Sequence, residues 1–327
     1  MRFCQIGVGR IGSLHAAHIA DHPDCDLAYV IDRNDELAQA IAAKLGAQTA
    51  PIDAVLGDPG IDAVVIASSS ASHDELIEAA ARAGKAIFCE QPAGLSSKRT
   101  EAVLAVVSEC GVPFFAALHR RFDPQIAAFK RRLDKGEIGK VEQLLITSRE
   151  PMLPPIDYLR TSGGLFRDMM LHDFDLARWL LGEGPTEVYT AASVLVDPTL
   201  VSLGDVDTAI VTLKTRSGKL VQVNNSRRAV YGFDQRLEAF GSGGMLRMGN
   251  RVHDAVELSN AHGTSLSTPM RDMTARYREA FRLEFDAFVE ALKTGKPPQP
   301  GPADARAAIQ IADAATESME TGKPVAL

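Results

Sequence analysis

The sequence predicts an α/β chain in two parts. Residues 1–120 read as a domain built on a parallel sheet with helices on both faces, and residues 121–327 as an α+β domain with an open, mostly antiparallel sheet. Three observations carry this. The chain has 327 residues, more than one small core organises. Up to about residue 118 short apolar runs alternate with helical patterns, the mark of βαβ units. Beyond residue 120 that rhythm gives way to segments in which apolar and polar residues alternate, as in strands with one face in water.

Taken in order, strands are expected at Arg2 to Val8, Asp26 to Ile31, Ile61 to Ala67, Ala86 to Cys89 and Pro113 to Ala117, with helices at 10–21, 34–45, 72–83 and 95–109. These strands are almost wholly apolar, as strands buried on both faces must be. Ser72-His73-Asp74-Glu75 fits a capping box, in which the serine hydroxyl and the glutamate carboxylate satisfy orphan amides at a helix start. In the second part helices are expected near 123–135 and 164–181, and strands at 186–196, 206–215, 219–226, 233–241 and around 252–258. Ser217-Gly218 joins two of these as an antiparallel turn. Tyr277, Phe281, Phe285, Phe288 and Leu292 then form the core face of a long amphipathic helix, ended by Gly295, Pro297, Pro298 and Pro300. A last helix, 303–320, can return to pack beside the first domain.

Composition narrows the possible partners. With 35 Lys+Arg against 42 Asp+Glu the formal charge is −7, which offers no basic footprint for nucleic acid. The longest mainly apolar stretch, Ala102 to Leu118, is broken by Ser108, Glu109, Gly111 and Pro113, whereas a membrane span needs about 20 apolar residues. Neither nucleic acid nor membrane is an expected partner. Met1-Arg2-Phe3-Cys4 leads straight into a strand without the parts of a signal peptide, so the cytoplasm is the expected compartment. Cys4, Cys25, Cys89 and Cys110 are widely spaced and read as buried free thiols. His15, His18 and His119 lack ligand spacing, so no metal is expected.

Gly7-Val8-Gly9-Arg10-Ile11-Gly12 is a G-x-G-x-x-G directly after the first strand and opening the first helix. Gly7 permits the tight turn, Gly9 lets backbone approach a pyrophosphate, and Gly12 allows close helix–strand packing, while the helix start with Arg10 and Ile11 offers amides to the anion. Asp32 ends the second strand, where a carboxylate accepts hydrogen bonds from a ribose diol. It would repel a 2′-phosphate, which favours NAD over NADP, although Arg33 softens that preference. The first domain is therefore expected to be a Rossmann domain that binds NAD. Its 9 basic and 15 acidic residues in 1–120 mean that affinity must come from oriented amides rather than bulk charge. Ser68 and Ser69 follow one strand, and Glu90, Gln91 and Pro92 the next, at strand ends that face the ligand crevice of an open α/β sheet. His73 near a helix start either lines that crevice or packs beneath it.

Asp168 and His172 are spaced i, i+4, which on an α-helix puts them on one face within hydrogen-bonding reach. Such a pair is either structural or a general base, the carboxylate setting the tautomer while the imidazole takes a hydroxyl proton. Glu90-Gln91-Pro92, Arg120-Arg121-Phe122-Asp123-Pro124, the stretch from Gly163 through Asp168 and His172 to Asp175, and Asn224 to Gln235 together resemble the Gfo/Idh/MocA oxidoreductase family over essentially the whole chain. The resemblance implies NAD-dependent oxidation of a secondary alcohol on a cyclitol or sugar, with myo-inositol giving its 2-keto product as the first expectation. It also implies His172 as base with Asp168 and position 91 in the catalytic set, Arg121 and Tyr231 on the polyol, and assembly through the open sheet face as a homotetramer. Isolated basic pairs such as Arg227-Arg228 are otherwise read as solvated or salt-bridged.

Members of that family carry lysine where this chain has Gln91. Glutamine keeps a donor of similar reach without the charge, and the difference between charged and neutral hydrogen bonds, on the order of 1 to 2 kcal/mol, corresponds to about 5- to 30-fold in rate. Three readings stay open: a slower or retuned dehydrogenase, an introduced Lys→Gln change, or a protein that binds NAD and a polyol without turnover.

Overall fold

The computed structural model describes all 327 residues. It divides into two compact units, Met1–Phe122 with Thr161–Gly163 and Glu279–Gln310, and Asp123–Arg160 with Gly164–Arg278 and Ile311–Leu327.

The first unit holds β1 (Arg2–Ile6), α1 (Arg10–Asp21), β2 (Asp26–Ile31), α2 (Asp35–Leu45), α3 (Ile52–Gly57), β3 (Ala63–Ile66), α4 (His73–Arg82), β4 (Ala86–Glu90), α5 (Ser97–Cys110) and β5 (Phe114–Ala117). The strands form one parallel sheet in the order β2-β1-β3-β4-β5. Strand order reverses between β1 and β3, so their carboxyl ends open the crevice where such sheets bind ligands. The short α3 was not expected. The capping box at Ser72 does not form. Ser70–Ser72 is a 3₁₀ turn that leads directly into α4, and Ser72 donates its hydroxyl to the Ser69 carbonyl at 2.8 Å. Its backbone is already near-helical (φ −105°, ψ −2°), whereas a capping residue is extended.

The second unit begins with α6 (Pro124–Asp134), β6 (Val141–Arg149) and α7 (Ile156–Ser162), followed by a π-helical turn at Phe166–Met170 and α8 (Leu171–Leu181). Then come β7 (Pro185–Ser193), β8 (Thr208–Thr215), β9 (Leu220–Ser226), β10 (Asp234–Gly241), β11 (Gly244–Met248), β12 (Glu257–Asn260) and β13 (Gly263–Leu266). Two long helices, α9 (Met273–Thr294) and α10 (Pro302–Thr321), and the short β14 (Val325–Ala326) end the chain. Seven strands pair in the order β11-β10-β6-β9-β8-β7-β14, and every pair but β6–β9 is antiparallel. The sequence reading had no strand at 141–149, yet β6 lies in the middle of this sheet. The strand expected around 252–258 is instead a separate hairpin, β12–β13.

The aromatic stripe of α9 is core, and most of it is core of the first unit. Phe285, Phe288 and Val289 pack with Phe3, Phe88 and Phe115, and the Phe88 and Phe115 rings stack at 5.0 Å. Burying each such side chain contributes about 1.5–3 kcal/mol. Spatially, then, the first unit takes back residues 279–310, which the boundary at 120 had assigned to the second, and α10 passes from one unit to the other at Gln310. All four cysteines are free; Cys4 and Cys89 are buried, but Cys25 is partly buried and Cys110 exposed. No helix is long and apolar enough to cross a membrane.

Candidate active site

In the crevice of the first unit each motif glycine has its own steric reason. Gly7 has φ +83°, and a Cβ there would lie 2.6 Å from the backbone of Ser68. A Cβ on Gly12 would lie 2.0 Å from the Gly7 carbonyl oxygen, so α1 packs too close for any side chain. Gly9 is exposed with open space above it, and as the N-cap of α1 it leaves the first amides without a side-chain acceptor. Arg10 is exposed and Ile11 partly buried. Fully buried Gln5 holds the loop from below, donating to the Gly7 carbonyl at 2.8 Å.

Asp32 accepts from the Val8 amide at 2.7 Å and the Asn34 amide at 2.9 Å, which ties the loop to the end of β2. Each carboxylate oxygen retains a lone pair for a diol. Asn34, not Asp32, caps α2, and Arg33 is exposed beside it. Open space over Gly9, unclaimed amides at the start of α1 and an anchored carboxylate on the neighbouring strand fit the pyrophosphate and ribose of NAD.

The other strand ends show which expected residues face a ligand. Ser68 and Ser69 sit at the mouth, Ser68 sharing a hydrogen bond with the Ser72 hydroxyl at 2.8 Å. His73 was expected either to line the cofactor crevice or to pack beneath it, and its ring is buried between the Pro92 carbonyl at 2.8 Å and the Ser68 carbonyl at 3.2 Å, the packing use and not the cofactor contact. Whichever nitrogen carries the proton, the ring is enclosed by these two carbonyls, so His73 props the two loops from beneath. Its burial pushes the imidazole pKa down, only partly offset by those carbonyls. Glu90 likewise turns inward, to His15 Nε2 at 2.6 Å, and its carbonyl accepts from the Cys89 thiol at 3.1 Å. Gln91 is buried and donates to the Cys89 carbonyl at 3.2 Å.

In the second unit the expected Asp168–His172 hydrogen bond is replaced by two others. Asp168 accepts from the Tyr158 hydroxyl at 2.5 Å and from Arg227 Nη2 at 2.9 Å, one on each oxygen. The π-helical turn at Phe166–Met170 explains the change, because its wider i→i+5 turn rotates Asp168 away from the direction that α-helical spacing assumes. Arg227 is fully buried, and burial opposes its charge, yet Asp168, Glu150 and Asp205 together hold its pKa above the ordinary value. Desolvation and the Asp168 carboxylate push the Tyr158 phenol up, so it remains a donor. His172 is partly buried at the start of α8, while the next turn is anchored by the Asn225 side chain donating to Asp173 at 2.9 Å.

Sequence reasoning missed Tyr158 and gave Arg227 no role beyond a salt bridge. The presence of Arg227 inside the Asn224–Gln235 motif was the available signal. Arg121 belongs to the first unit and donates to Asp304 at 2.8 Å. Tyr231 donates to Asp234 at 2.6 Å and accepts from Arg149 at 3.2 Å, and no hydrogen bond joins this cluster to Asp168.

Two family models match. Residues 1–118 match an oxidoreductase family with an NAD-binding Rossmann fold, and residues 130–327 its C-terminal alpha/beta domain. The chain is 42% identical to inositol 2-dehydrogenase of Rhizobium meliloti (strain 1021), covering 100% of this chain and 99% of the relative. Among solved structures, myo-inositol dehydrogenase from Corynebacterium glutamicum superposes with a TM-score of 0.94 at 37% identity, covering 100% of this chain and 98% of that one. Scyllo-inositol dehydrogenase from Lactobacillus casei, solved with NAD(H) and scyllo-inositol, superposes with a TM-score of 0.92 at 26% identity and the same coverage. With a glycine loop shaped for a dinucleotide and both halves matched, the chain belongs to the Gfo/Idh/MocA family of NAD-dependent oxidoreductases.

Proposed function

We propose that the protein oxidises a ring secondary alcohol of a cyclitol, myo-inositol to its 2-keto product in the first instance. The observation that carries the reading is Asp168, fixed between Tyr158 and Arg227 and followed by His172, in a chain whose full-length relatives include one named inositol 2-dehydrogenase. The Gly7–Gly12 loop and the start of α1 hold the pyrophosphate, and Asp32 the adenosine ribose. When bound, NAD supplies the hydride acceptor. His172 takes the hydroxyl proton as the adjacent C–H is lost, a role suited to an imidazole at neutral pH. The Tyr158 hydroxyl donates to Asp168 and so helps to fix that carboxylate. Gln91 brings no charge to the turn after β4, and its side-chain amide donates to the Cys89 carbonyl, which makes this a slower or retuned member of the family. Arg121 and Tyr231 complete the polyol contacts.

The same reading makes the protein a homotetramer assembled through the outer face of the seven-stranded sheet, where Tyr189, Ile210, Leu220 and Phe240 are exposed. Four unpaired thiols suit a reducing compartment such as the cytoplasm. A panel of inositol stereoisomers, sugars and sugar acids incubated with NAD tests the substrate. NADH from myo-inositol, ahead of the sugars, is the expected result. NAD binding without NADH from any member of the panel would replace the dehydrogenase by a non-catalytic binding protein.

A further inference from the structure

Behind the glycine loop three ionisable side chains of the first unit converge: His15 of α1, Glu90 at the end of β4 and Glu284 of α9. His15 Nε2 lies 2.6 Å from Glu90 Oε1, and one polar atom from each residue lies within 4.8 Å of the other two. His15 and Glu284 are fully buried, and neither carboxylate oxygen of Glu284 has a hydrogen-bond partner. His15 lies edge-on to Phe88 at 5.0 Å and to Phe281 at 5.7 Å; two further histidines are near, His18 edge-on to His15 at 6.3 Å and His119 stacked on Phe281 at 4.5 Å, and neither hydrogen-bonds a Glu284 oxygen.

A cation and a proton are the two ways to balance such a group. Two ligands on one tetrahedral zinc at about 2.1 Å would stand about 3.4 Å apart, so the 2.6 Å contact is a hydrogen bond and not shared coordination. An ionised Glu284 beside Glu90, with no donor, is an uncompensated buried charge, and neutralisation removes that penalty. Burial and the Glu90 carboxylate both act in that direction, pushing the Glu284 carboxyl well above its usual range. His15 donates through Nε2 to Glu90, and its partnerless Nδ1 is then a bare acceptor, cheaper to bury than a bare cationic N–H.

We propose that Glu284 is held as a neutral carboxylic acid and that the His15–Glu90 hydrogen bond, with Glu284 beside it as the uncharged third member of a triad, fixes the Glu90–Gln91 turn from behind. His15 lies three residues beyond Gly12 and Glu90 immediately precedes Gln91, so the triad ties the pyrophosphate-binding helix to the turn used in hydride transfer. The effect on turnover rests on the dehydrogenase reading; the protonation state does not.

Difference infrared spectroscopy on the full-length protein at neutral pH, wild type against Glu284→Gln, tests the state directly. The wild type should show the carbonyl stretch of a buried carboxylic acid, the variant should lack it, and His15→Phe should shift it. A wild type without that band overturns the proposal. For positioning, His15→Phe keeps the ring packing, removes the hydrogen bond and should lower kcat about tenfold or more, with NAD affinity by calorimetry held within about threefold. Glu284→Gln preserves a neutral side chain and should fall far less in kcat. Equal losses in the two variants, or none in His15→Phe, overturn the positioning role. Should His15→Phe fail to fold, the infrared comparison with Glu284→Gln still decides. A wild type that turns over no polyol would refute the dehydrogenase reading while leaving the infrared result to judge the triad.

Discussion

Under the proposed function a lysine at position 91 would bring a charged donor to the reacting oxygen, whereas the Gln91 amide folds back on the Cys89 carbonyl. Gln91→Lys is therefore expected to raise kcat several-fold, within the 5- to 30-fold that about 1 to 2 kcal/mol allows; steady-state rates check this, and an unchanged or lower kcat means the site is rebuilt around glutamine. Arg227 and Asp168 make a second residue-level prediction. Arg227→Met leaves the Asp168 carboxylate and the Tyr158 phenol without their cation. It should cost about 3 kcal/mol in urea unfolding, as expected for breaking a largely buried pair from one side. Gly7 and Gly12 were legible in the sequence because backbone geometry dictates glycine there, and Asp32 because a carboxylate at the end of β2 stands at a fixed spacing from the loop it accepts from. Tyr158 and Arg227 were not, because their meaning depends on chain segments about 10 and 59 residues from Asp168 meeting in space.

At the scale of elements, buried parallel strands announce themselves by continuous apolar runs, and β2 matches its expected bounds at Asp26–Ile31. β6 did not, because only Leu144 and Ile146 mark its buried face before the pattern turns to Ser148. The Asp168–His172 geometry failed for a related reason: i, i+4 spacing presumes an α-helix, and nothing in the residues flagged the π turn. Two elements carry testable weight. Asp123 caps α6 through the Gln125 and Ile126 amides, both at 3.1 Å, and pairs with buried Arg276 of α9. Asp123→Ala removes the cap and leaves a buried cation unpaired, an expected loss of about 3–5 kcal/mol measurable by urea unfolding. Glu183, between α8 and β7, is held by Lys219 and Ser217, and these hydrogen bonds lower its pKa from 4.5 to about 2. A depressed folded pKa stabilises above the unfolded value, and that contribution is lost as pH falls from about 4.5 toward 2. Glu183→Gln should therefore flatten the pH dependence of unfolding in that window, whereas an unchanged slope would assign the acid sensitivity elsewhere.

For the whole molecule, the change of rhythm near residue 120 was legible, but the return of residues 279–310 to the first unit was not. Periodicity identified the apolar stripe of α9, and a stripe does not say which core it fills. The outer sheet face bears on assembly. Ile210→Glu combined with Phe240→Glu should convert a tetramer into the 35.1 kDa chain by light scattering, while a wild type already of that mass would refute the tetramer. The formal charge of −7 leaves room for a dinucleotide held by backbone amides. The chemistry that follows is tested most directly by initial rates of NADH formation from myo-inositol and NAD, wild type against His172→Ala. Measurable wild-type turnover, lowered about 10²- to 10⁴-fold in the variant, is the predicted result; an equal rate in His172→Ala, or no NADH from the wild type, would contradict it.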